Sequence, residues 1–216
     1  MKLMVSTAMA AGALLSLSLP AFAGEDGCGK ECPKGHHAQV HGGNPIAATP
    51  RADAPSIGAR DARVTVEVWS DFQCPFCQRG SEIVDGLRAK YGDQVRIVFR
   101  HHPLPMHANA RLAAIASMAA SEQGKFWQMH DVLFDNQKAL DRASLEGYAK
   151  ALGLDLVRFQ KALDSTTWAN YVDADALEAQ KRGIAGTPFF FVNGKAIMGA
   201  QPMESFTQVI DAELKR

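Results

Sequence analysis

Apolar residues recur along this chain with two different periods, and their order predicts strands and helices in turn. Valine alternates with polar residues over residues 63–70, which predicts a strand, and the rich apolar content places it centrally in a sheet. Residues 78–90 carry an apolar face at helical spacing, and residues 94–100 form a second apolar run typical of a buried strand. A strand, a helix and a strand joined by short connections form a right-handed βαβ unit, so the two strands should be parallel.

The pattern is helical from about residue 106 to residue 182, which predicts an inserted helical subdomain. The sheet then resumes with the apolar run 189–192, followed by Asn193-Gly194, a strong signal for a two-residue hairpin turn. A returning strand over 195–198 and an amphipathic helix after Pro202 complete the predicted α/β fold.

Two cysteines lie at the start of the first predicted helix, in the sequence Cys74-Pro75-Phe76-Cys77. A thiol at a helix amino terminus lies beside unpaired N–H groups and the positive end of the helix dipole, which favour the reactive thiolate. Cys77 is one turn further along the same face, close enough to form a disulfide with Cys74. Half of a zinc site is the alternative, but no second pair at zinc-ligand spacing follows.

Composition sets broader limits on function. The 216 residues are 47% hydrophobic and 21% charged, which is ordinary for a globular protein of one or two domains. The formal net charge is zero, so neither nucleic acid nor an anionic membrane is predicted as a partner.

The amino terminus has the pattern of a secretory signal peptide over residues 1–23. A lysine precedes an apolar run, and Ala21-Phe22-Ala23 forms a cleavage site. A membrane anchor is the alternative, but the run is short and contains several polar residues, so no stable membrane insertion is expected after cleavage. We therefore expect an exported, periplasmic or otherwise extracytoplasmic protein, in which cysteines can form disulfides.

Residues 24–56 have no hydrophobic period and are rich in Gly, Pro, Ala and His, which predicts a flexible tether before the domain at 57–216. Four residues of the tether resemble a metal-ligand set: Cys28, Cys32, His36 and His41. Thiolate and imidazole suit zinc or copper(I). A local disulfide, or a disordered tail with chance histidines, is the alternative.

Three motifs in this order resemble the DsbA-like thioredoxin-fold family of exported thiol–disulfide oxidoreductases. The motifs are Trp69-Ser70-Asp71-Phe72-Gln73-Cys74-Pro75-Phe76-Cys77, Gly124-Lys125-Phe126-Trp127 with His130, and the stretch from Gly186-Thr187-Pro188 to Asn193-Gly194. The resemblance implies a thioredoxin fold in which Cys74 attacks and Cys77 resolves. It implies that Pro188 is a cis-proline facing the disulfide, and that Thr187, Pro188, Pro75 and Phe76 bind substrate. It implies no cofactor besides the Cys74–Cys77 disulfide, cysteine-containing exported proteins as substrates, and a redox partner that resets the active site.

One position departs from the family pattern. Many relatives carry a buried acid six residues before the first cysteine, where this chain has Val68, with Glu67 beside it. A shift of one residue reverses the strand face. Glu67 is therefore either a proton relay to Cys77 or a partly solvated or ion-paired strand residue. Three histidines follow the second strand and should lie near the cysteines: His101, His102 and His107. They either lower the pKa of Cys74 or serve as ordinary loop and helix-cap residues, and the second interpretation is favoured.

The sequence thus predicts an exported enzyme that exchanges disulfides with protein thiols. The oxidase direction is favoured over isomerase or reductase, because no dimerisation domain precedes Ser56. A metal-handling protein that uses the Cys–His tether is a second hypothesis. A related enzyme acting on small thiol conjugates is a third, and the intact Cys-x-x-Cys argues against it.

Overall fold

A computed structural model describes residues 51–216 of the chain. These residues form five strands and seven α-helices in the order β1 (Ser56–Ile57), β2 (Val64–Ser70), α1 (Pro75–Tyr91), β3 (Val95–His101), α2 (Ala110–Ser121), α3 (Phe126–Asp135), α4 (Arg142–Ala151), α5 (Leu156–Leu163), α6 (Thr166–Lys181), β4 (Phe189–Val192), β5 (Lys195–Met198) and α7 (Met203–Leu214). The predicted thioredoxin-type α/β fold with a helical insertion is confirmed.

The five strands form one mixed sheet in the order β1-β3-β2-β4-β5. Strands β2 and β3 are parallel, with Val66 opposite Ile97, as the βαβ pattern predicts. Strand β4 runs antiparallel to β2, with Val68 opposite Phe190. Strand β2 is therefore the middle strand, and the turn that carries the cysteines emerges from its carboxyl end.

Side chains that alternate along the strands divide the sheet into two buried faces. On one face, Val68 and Phe190 share a core with Leu87 of α1, and the Phe190 ring meets Phe206 of α7 at 4.8 Å between centroids. On the other face, Trp69 packs in a separate cluster with Ala179 of α6. Helix α1, which begins at the cysteines, and helix α6 thus cover opposite faces.

The hairpin between β4 and β5 turns at Asn193 and Gly194, which have φ angles of 45° and 83°. Both values lie in the left-handed region that a tight hairpin turn requires, and asparagine and glycine tolerate it best. The Asn193 side chain also accepts a hydrogen bond from the Thr65 N–H at 2.9 Å, which holds the turn against β2.

The helical insertion occupies α2 to α6, close to the predicted limits. Asp155 caps α5 by accepting a hydrogen bond from the Arg158 N–H at 3.0 Å. Of the helices in residues 51–216, none is both long and apolar enough to cross a membrane.

The last residues of the predicted tether lie against the domain. Ser56 belongs to β1 and is antiparallel to Val98 of β3. Ala54 is buried, and Arg51 forms an ion pair with the buried Asp175 at 3.3 Å. The described part of the domain therefore includes residues 51–56, whereas the predicted signal peptide and the rest of the tether lie outside the described residues.

Candidate active site

Cys74 is the N-cap residue of α1, and its backbone is extended, with φ −75° and ψ 123°. Pro75 follows at the first helical position. A backbone N–H at this position has no partner within the helix, so proline loses no hydrogen bond there. The Cys77 N–H donates to the Cys74 carbonyl at 3.0 Å and closes the first turn. This local sequence thus places the Cys74 sulfur beside the free N–H groups of a 17-residue helix.

Cys77 lies one turn further into α1 and is fully buried. Its Sγ accepts a hydrogen bond from the Asp71 N–H at 3.4 Å. Burial, followed by the hydrogen bond with Cys74, raises the pKa of the Cys77 thiol well above its ordinary range. Cys77 therefore holds its proton at neutral pH.

The pKa of Cys74 is lowered to about 5, chiefly by the hydrogen bond from the Cys77 thiol. The Thr187 side chain and the backbone N–H groups of Cys77 and Phe76 also lower it, while burial opposes them. The two thiols thus differ in role, because Cys74 ionises readily and its neighbour supplies the stabilising proton.

The segment before β4 faces the cysteines. The Thr187–Pro188 peptide bond is cis, as the family resemblance implied, and the Cys74 thiol lies 3.5 Å from the Thr187 carbonyl oxygen. A methyl group added to Gly80 of α1 would lie 3.2 Å from the Pro188 ring, so helix and loop are in close contact.

Pro75 and Phe76 lie at the surface of the same site. Phe76 is 55% exposed, and the Arg79 guanidinium lies 4.9 Å from the centre of its ring. Both residues follow Cys74 directly in the chain and are exposed. The substrate-binding roles predicted for them, and for Thr187 and Pro188, remain predictions.

A profile of the DSBA-like thioredoxin domain matches residues 65–211. The chain belongs to this family. Its members are thiol–disulfide oxidoreductases, so the predicted enzyme class is confirmed at the level of the family.

Solved structures of DsbA-like proteins agree with this assignment. The chain is similar to oxidised BdbD from Bacillus subtilis, with 29% identity, a TM-score of 0.67, and coverage of 76% of this chain and 94% of that one. It is similar to a thioredoxin-like oxidoreductase from Silicibacter pomeroyi, with 28% identity, a TM-score of 0.69, and coverage of 76% and 93%. Alpha-DsbA1 from Wolbachia pipientis shares the fold at 19% identity and a TM-score of 0.70, over 80% of this chain and 96% of that one.

Curated relatives match only in part. The chain is 41% identical, over 155 residues, to the Na(+)/H(+) antiporter NhaA of Herminiimonas arsenicoxydans. The match covers 72% of this DsbA-like chain and 25% of that protein. The chain therefore spans about a quarter of the length of such relatives.

The structure contradicts the proton-relay role considered for Glu67. Strand alternation places its side chain on the α6 face, away from the α1 face that holds Cys77. The carboxylate is buried in ion pairs with Arg100 at 2.7 Å and Arg182 at 3.0 Å. Glu67 is thus the ion-paired strand residue of the alternative interpretation.

Sequence reasoning placed His107 near the cysteines but gave no role to two other polar side chains around this DsbA-like site, Gln137 and Asp71. The Gln137 amide donates to the carbonyls of Phe72 and Cys74, at 2.9 and 2.8 Å, and fixes the cysteine turn. Asp71 and His107 form a close pair beside Cys77, joined at 2.7 Å. All three contacts link residues far apart in the chain, so no local spacing indicates them.

The predicted metal ligands Cys28, Cys32, His36 and His41 lie outside the described residues. Between residues 51 and 216, no group of three or more His, Cys, Asp or Glu side chains is arranged to hold a metal ion. The metal hypothesis therefore rests on the sequence of the tether alone.

Proposed function

We propose that this chain oxidises pairs of protein thiols to disulfides through Cys74 and Cys77. The observation that carries the proposal is the position of Cys74 at the N-terminus of α1, beside the buried Cys77, where its pKa is lowered to about 5. Each unit of depression stabilises the ionised, reduced form by about 1.4 kcal/mol, and a stabilised reduced form makes the disulfide a stronger oxidant. This value therefore favours an oxidase over a reductase.

The reaction begins with the Cys74–Cys77 disulfide. A substrate thiolate attacks the Cys74 sulfur, the Cys74–Cys77 bond breaks, and the Cys77 thiolate leaves and takes up a proton. A second substrate thiolate then attacks the substrate sulfur of the mixed disulfide and releases Cys74 as a thiolate. Two electrons pass from the substrate to the enzyme, and a redox partner protein must remove them to regenerate the disulfide.

The geometry near Thr187 supports a protein substrate. Its carbonyl lies 3.5 Å from the Cys74 sulfur, so an extended peptide lying along residue 187 would bring its own cysteine to Cys74. The exposed Phe76 ring offers an apolar contact beside that path. The signal-like residues 1–23 support action in an exported, periplasmic compartment, where folding proteins need disulfides.

The reduction potential of the Cys74–Cys77 pair tests the direction. Equilibration with glutathione buffers is measured in a Cys28→Ser, Cys32→Ser background, so that only the active-site pair reports. We expect a potential between about −120 mV, the value of a strong dithiol oxidant, and about −180 mV, the value of a disulfide isomerase. Within this range we expect it to lie nearer to about −120 mV. A potential near about −270 mV, as in thioredoxin, would contradict the oxidase direction.

Metal handling is the second candidate function, and the spacing of Cys28, Cys32, His36 and His41 favours it. We expect purified protein with reduced thiols to bind one zinc or copper(I) ion per chain. The Cys28→Ser, Cys32→Ser variant should lose that metal, whereas the matched Cys74→Ser, Cys77→Ser variant should keep it. Loss of the metal only in the Cys74→Ser, Cys77→Ser variant would show that the tether does not hold it.

A further inference from the structure

A cavity opens beside the cysteine turn, on the side of the helical insertion. Its volume is about 360 Å³, which is large enough for a side chain, since one water takes only about 30 Å³. Gln78 of α1 lines it, together with the end of α3 and the loop after it, residues 134–139. Five of the seven lining side chains are polar, and Phe134 and Ala139 are the apolar two.

Gln137 connects this cavity to Cys74. Its amide nitrogen donates to the Cys74 carbonyl at 2.8 Å and to the Phe72 carbonyl at 2.9 Å, which uses both of its N–H donors. No described residue donates to the oxygen of the same amide. A substrate N–H that reaches the cavity therefore meets an available acceptor next to the residue under attack.

Helix α1 separates the cavity from the Pro188 loop. Residues two apart in an α-helix point about 200° apart. Gly80 faces Pro188, which lies 3.2 Å from an added methyl group, so Gln78 points to the opposite side of α1. The Thr187 carbonyl, 3.5 Å from the Cys74 thiol, lies on the Pro188 side. The reactive cysteine thus has a backbone acceptor on one side of the helix and the polar cavity on the other.

An extended substrate can reach both places at once. A helix is about 10–12 Å across, and an extended chain covers about 3.3 Å per residue. A peptide that pairs with Thr187 and passes Cys74 therefore crosses the start of α1 within about three or four residues. Pro75 and Phe76, which form this start of the helix, are exposed, so the path lies at the surface.

We propose that this cavity is a second substrate subsite, which binds residues about three or four positions from the reacting cysteine; the assignment rests on the proposed function. The Gln78 amide can donate and accept, and the Gln137 oxygen can accept, which suits peptide groups and neutral polar side chains. Asp135 and Lys138 carry opposite charges, so the walls favour neither an acid nor a base. The bound segment is therefore neutral and polar, on the side of the substrate cysteine that leads away from Thr187.

Peptides of different length test the subsite. A short core peptide with two cysteines is compared with versions that carry about four extra serine or glutamine residues at the amino or the carboxyl end, enough to cross the helix start. Each peptide reduces the oxidised chain in single turnovers, and the rate with the extended peptide is divided by the rate with the core. This ratio cancels any change in the reactivity of Cys74. We expect a ratio of about ten for one of the two ends, the worth of one or two hydrogen bonds.

Gln78→Trp fills the cavity and should bring that ratio close to one. Gln208→Trp, at an exposed position of α7 that does not line the cavity, is the matched control and should keep a ratio of about ten. A ratio that Gln78→Trp does not lower, or no gain from either extension in the wild type, would overturn the proposal. A wild-type chain that cannot oxidise the core peptide would instead overturn the proposed function.

Lys138→Glu decides the matter if circular dichroism shows that Gln78→Trp does not fold. With Asp135 it leaves two negative charges, so an extension that carries lysine should react about threefold faster than one that carries glutamate, as for an exposed ion pair. Lys150→Glu, exposed in α4 and outside the cavity, is the control and should show no such preference. Equal rates for the two extensions in Lys138→Glu would overturn the proposal.

Discussion

At the scale of single residues, two identical side chains three positions apart acquire opposite acidities. Cys74 caps the helix, and hydrogen bonds from the Cys77 thiol and from nearby backbone N–H groups lower its pKa to about 5. Cys77 is fully buried, so its pKa rises. The difference in acidity between the two thiols therefore follows from their positions along one helical turn.

Cys77→Ser should trap mixed disulfides with substrates. The variant keeps Cys74, which still attacks, but lacks the thiol that would displace the bound substrate. We expect most of the Cys74 to be found in covalent complexes on non-reducing gels after expression in a disulfide-forming compartment. The Cys74→Ser control should give none, and equal amounts of complex from the two variants would show that the roles are assigned wrongly.

Local sequence indicated the residues whose roles depend on local geometry. Cys74 lies at a helix start that the period of α1 indicates, and Pro188 precedes a clear strand. Asp71, in contrast, meets His107 36 positions later, and Gln137 reaches Cys74 63 positions earlier. Such contacts depend on how the insertion packs against the sheet, which hydrophobic periodicity does not specify.

At the scale of secondary-structure elements, the close approach of α1 to the loop before β4 sets the spacing of the site. Gly80 is buried in α1 and faces Pro188, where even a methyl group would be tightly packed at 3.2 Å. Gly147 of α4 is exposed, and no heavy atom lies within 4 Å of an added methyl group. The close contact thus explains why position 80 lacks a side chain, whereas nothing around Gly147 in the described structure requires a glycine.

Gly80→Ala should lower the rate of disulfide exchange, because the Pro188 loop must move away from Cys74 by a few tenths of an ångström. Gly147→Ala should leave that rate unchanged and stabilise the protein by about 0.5–1 kcal/mol, the usual gain in an exposed helix. Insulin reduction and urea unfolding measure the two quantities. Unchanged exchange in both variants would show that the contact with Pro188 does not position the site.

The elements that sequence predicted best are those with a strong hydrophobic period. The parallel pair β2 and β3, the five inserted helices and the Asn193-Gly194 hairpin all follow from that pattern. Strand β1 was missed, because two residues, Ser56–Ile57, cannot display a period. It exists through its pairing with β3, a long-range interaction, and its first residue, Ser56, belongs to the predicted tether.

At the scale of the whole domain, the face of the sheet opposite the active site holds a buried charge network. Arg100 lies between Glu67 at 2.7 Å and Asp175 at 2.9 Å, and all three side chains are almost fully buried. Removing one member of such a network leaves an unpaired buried charge, which typically costs about 3–5 kcal/mol. The network therefore ties β2 and β3 to α6, away from the redox chemistry.

His101 should make the whole domain sensitive to acid. Burial lowers the pKa of this ring to about 4, and neither ring nitrogen has a hydrogen-bond partner among residues 51–216. Above about pH 6.5 neither the folded nor the unfolded chain protonates this histidine. Between about pH 6.5 and pH 4 only the unfolded chain takes the proton, so stability falls as pH falls, by about 3 kcal/mol in total.

His101→Phe should raise stability at neutral pH by about 1–3 kcal/mol, because it removes two unsatisfied polar atoms from an aromatic cluster. It should also reduce the loss of stability between about pH 6.5 and pH 4. Urea unfolding at several pH values measures both. His102→Phe is the matched control and should destabilise, because it leaves the Ile184 carbonyl without its partner. An unchanged pH slope in His101→Phe would contradict the assignment.

The acidity of Cys74 is the property on which the whole account depends, and thiolate absorbance near 240 nm measures it directly. Cys28→Ser, Cys32→Ser protein is titrated in the reduced state, where Cys77 stays protonated over the useful pH range. We expect a single transition with a midpoint at a pKa of about 5, absent from the Cys74→Ser control. A midpoint at or above about 8, the value of an ordinary thiol, would mean that Cys74 is not activated and would contradict the proposed activity.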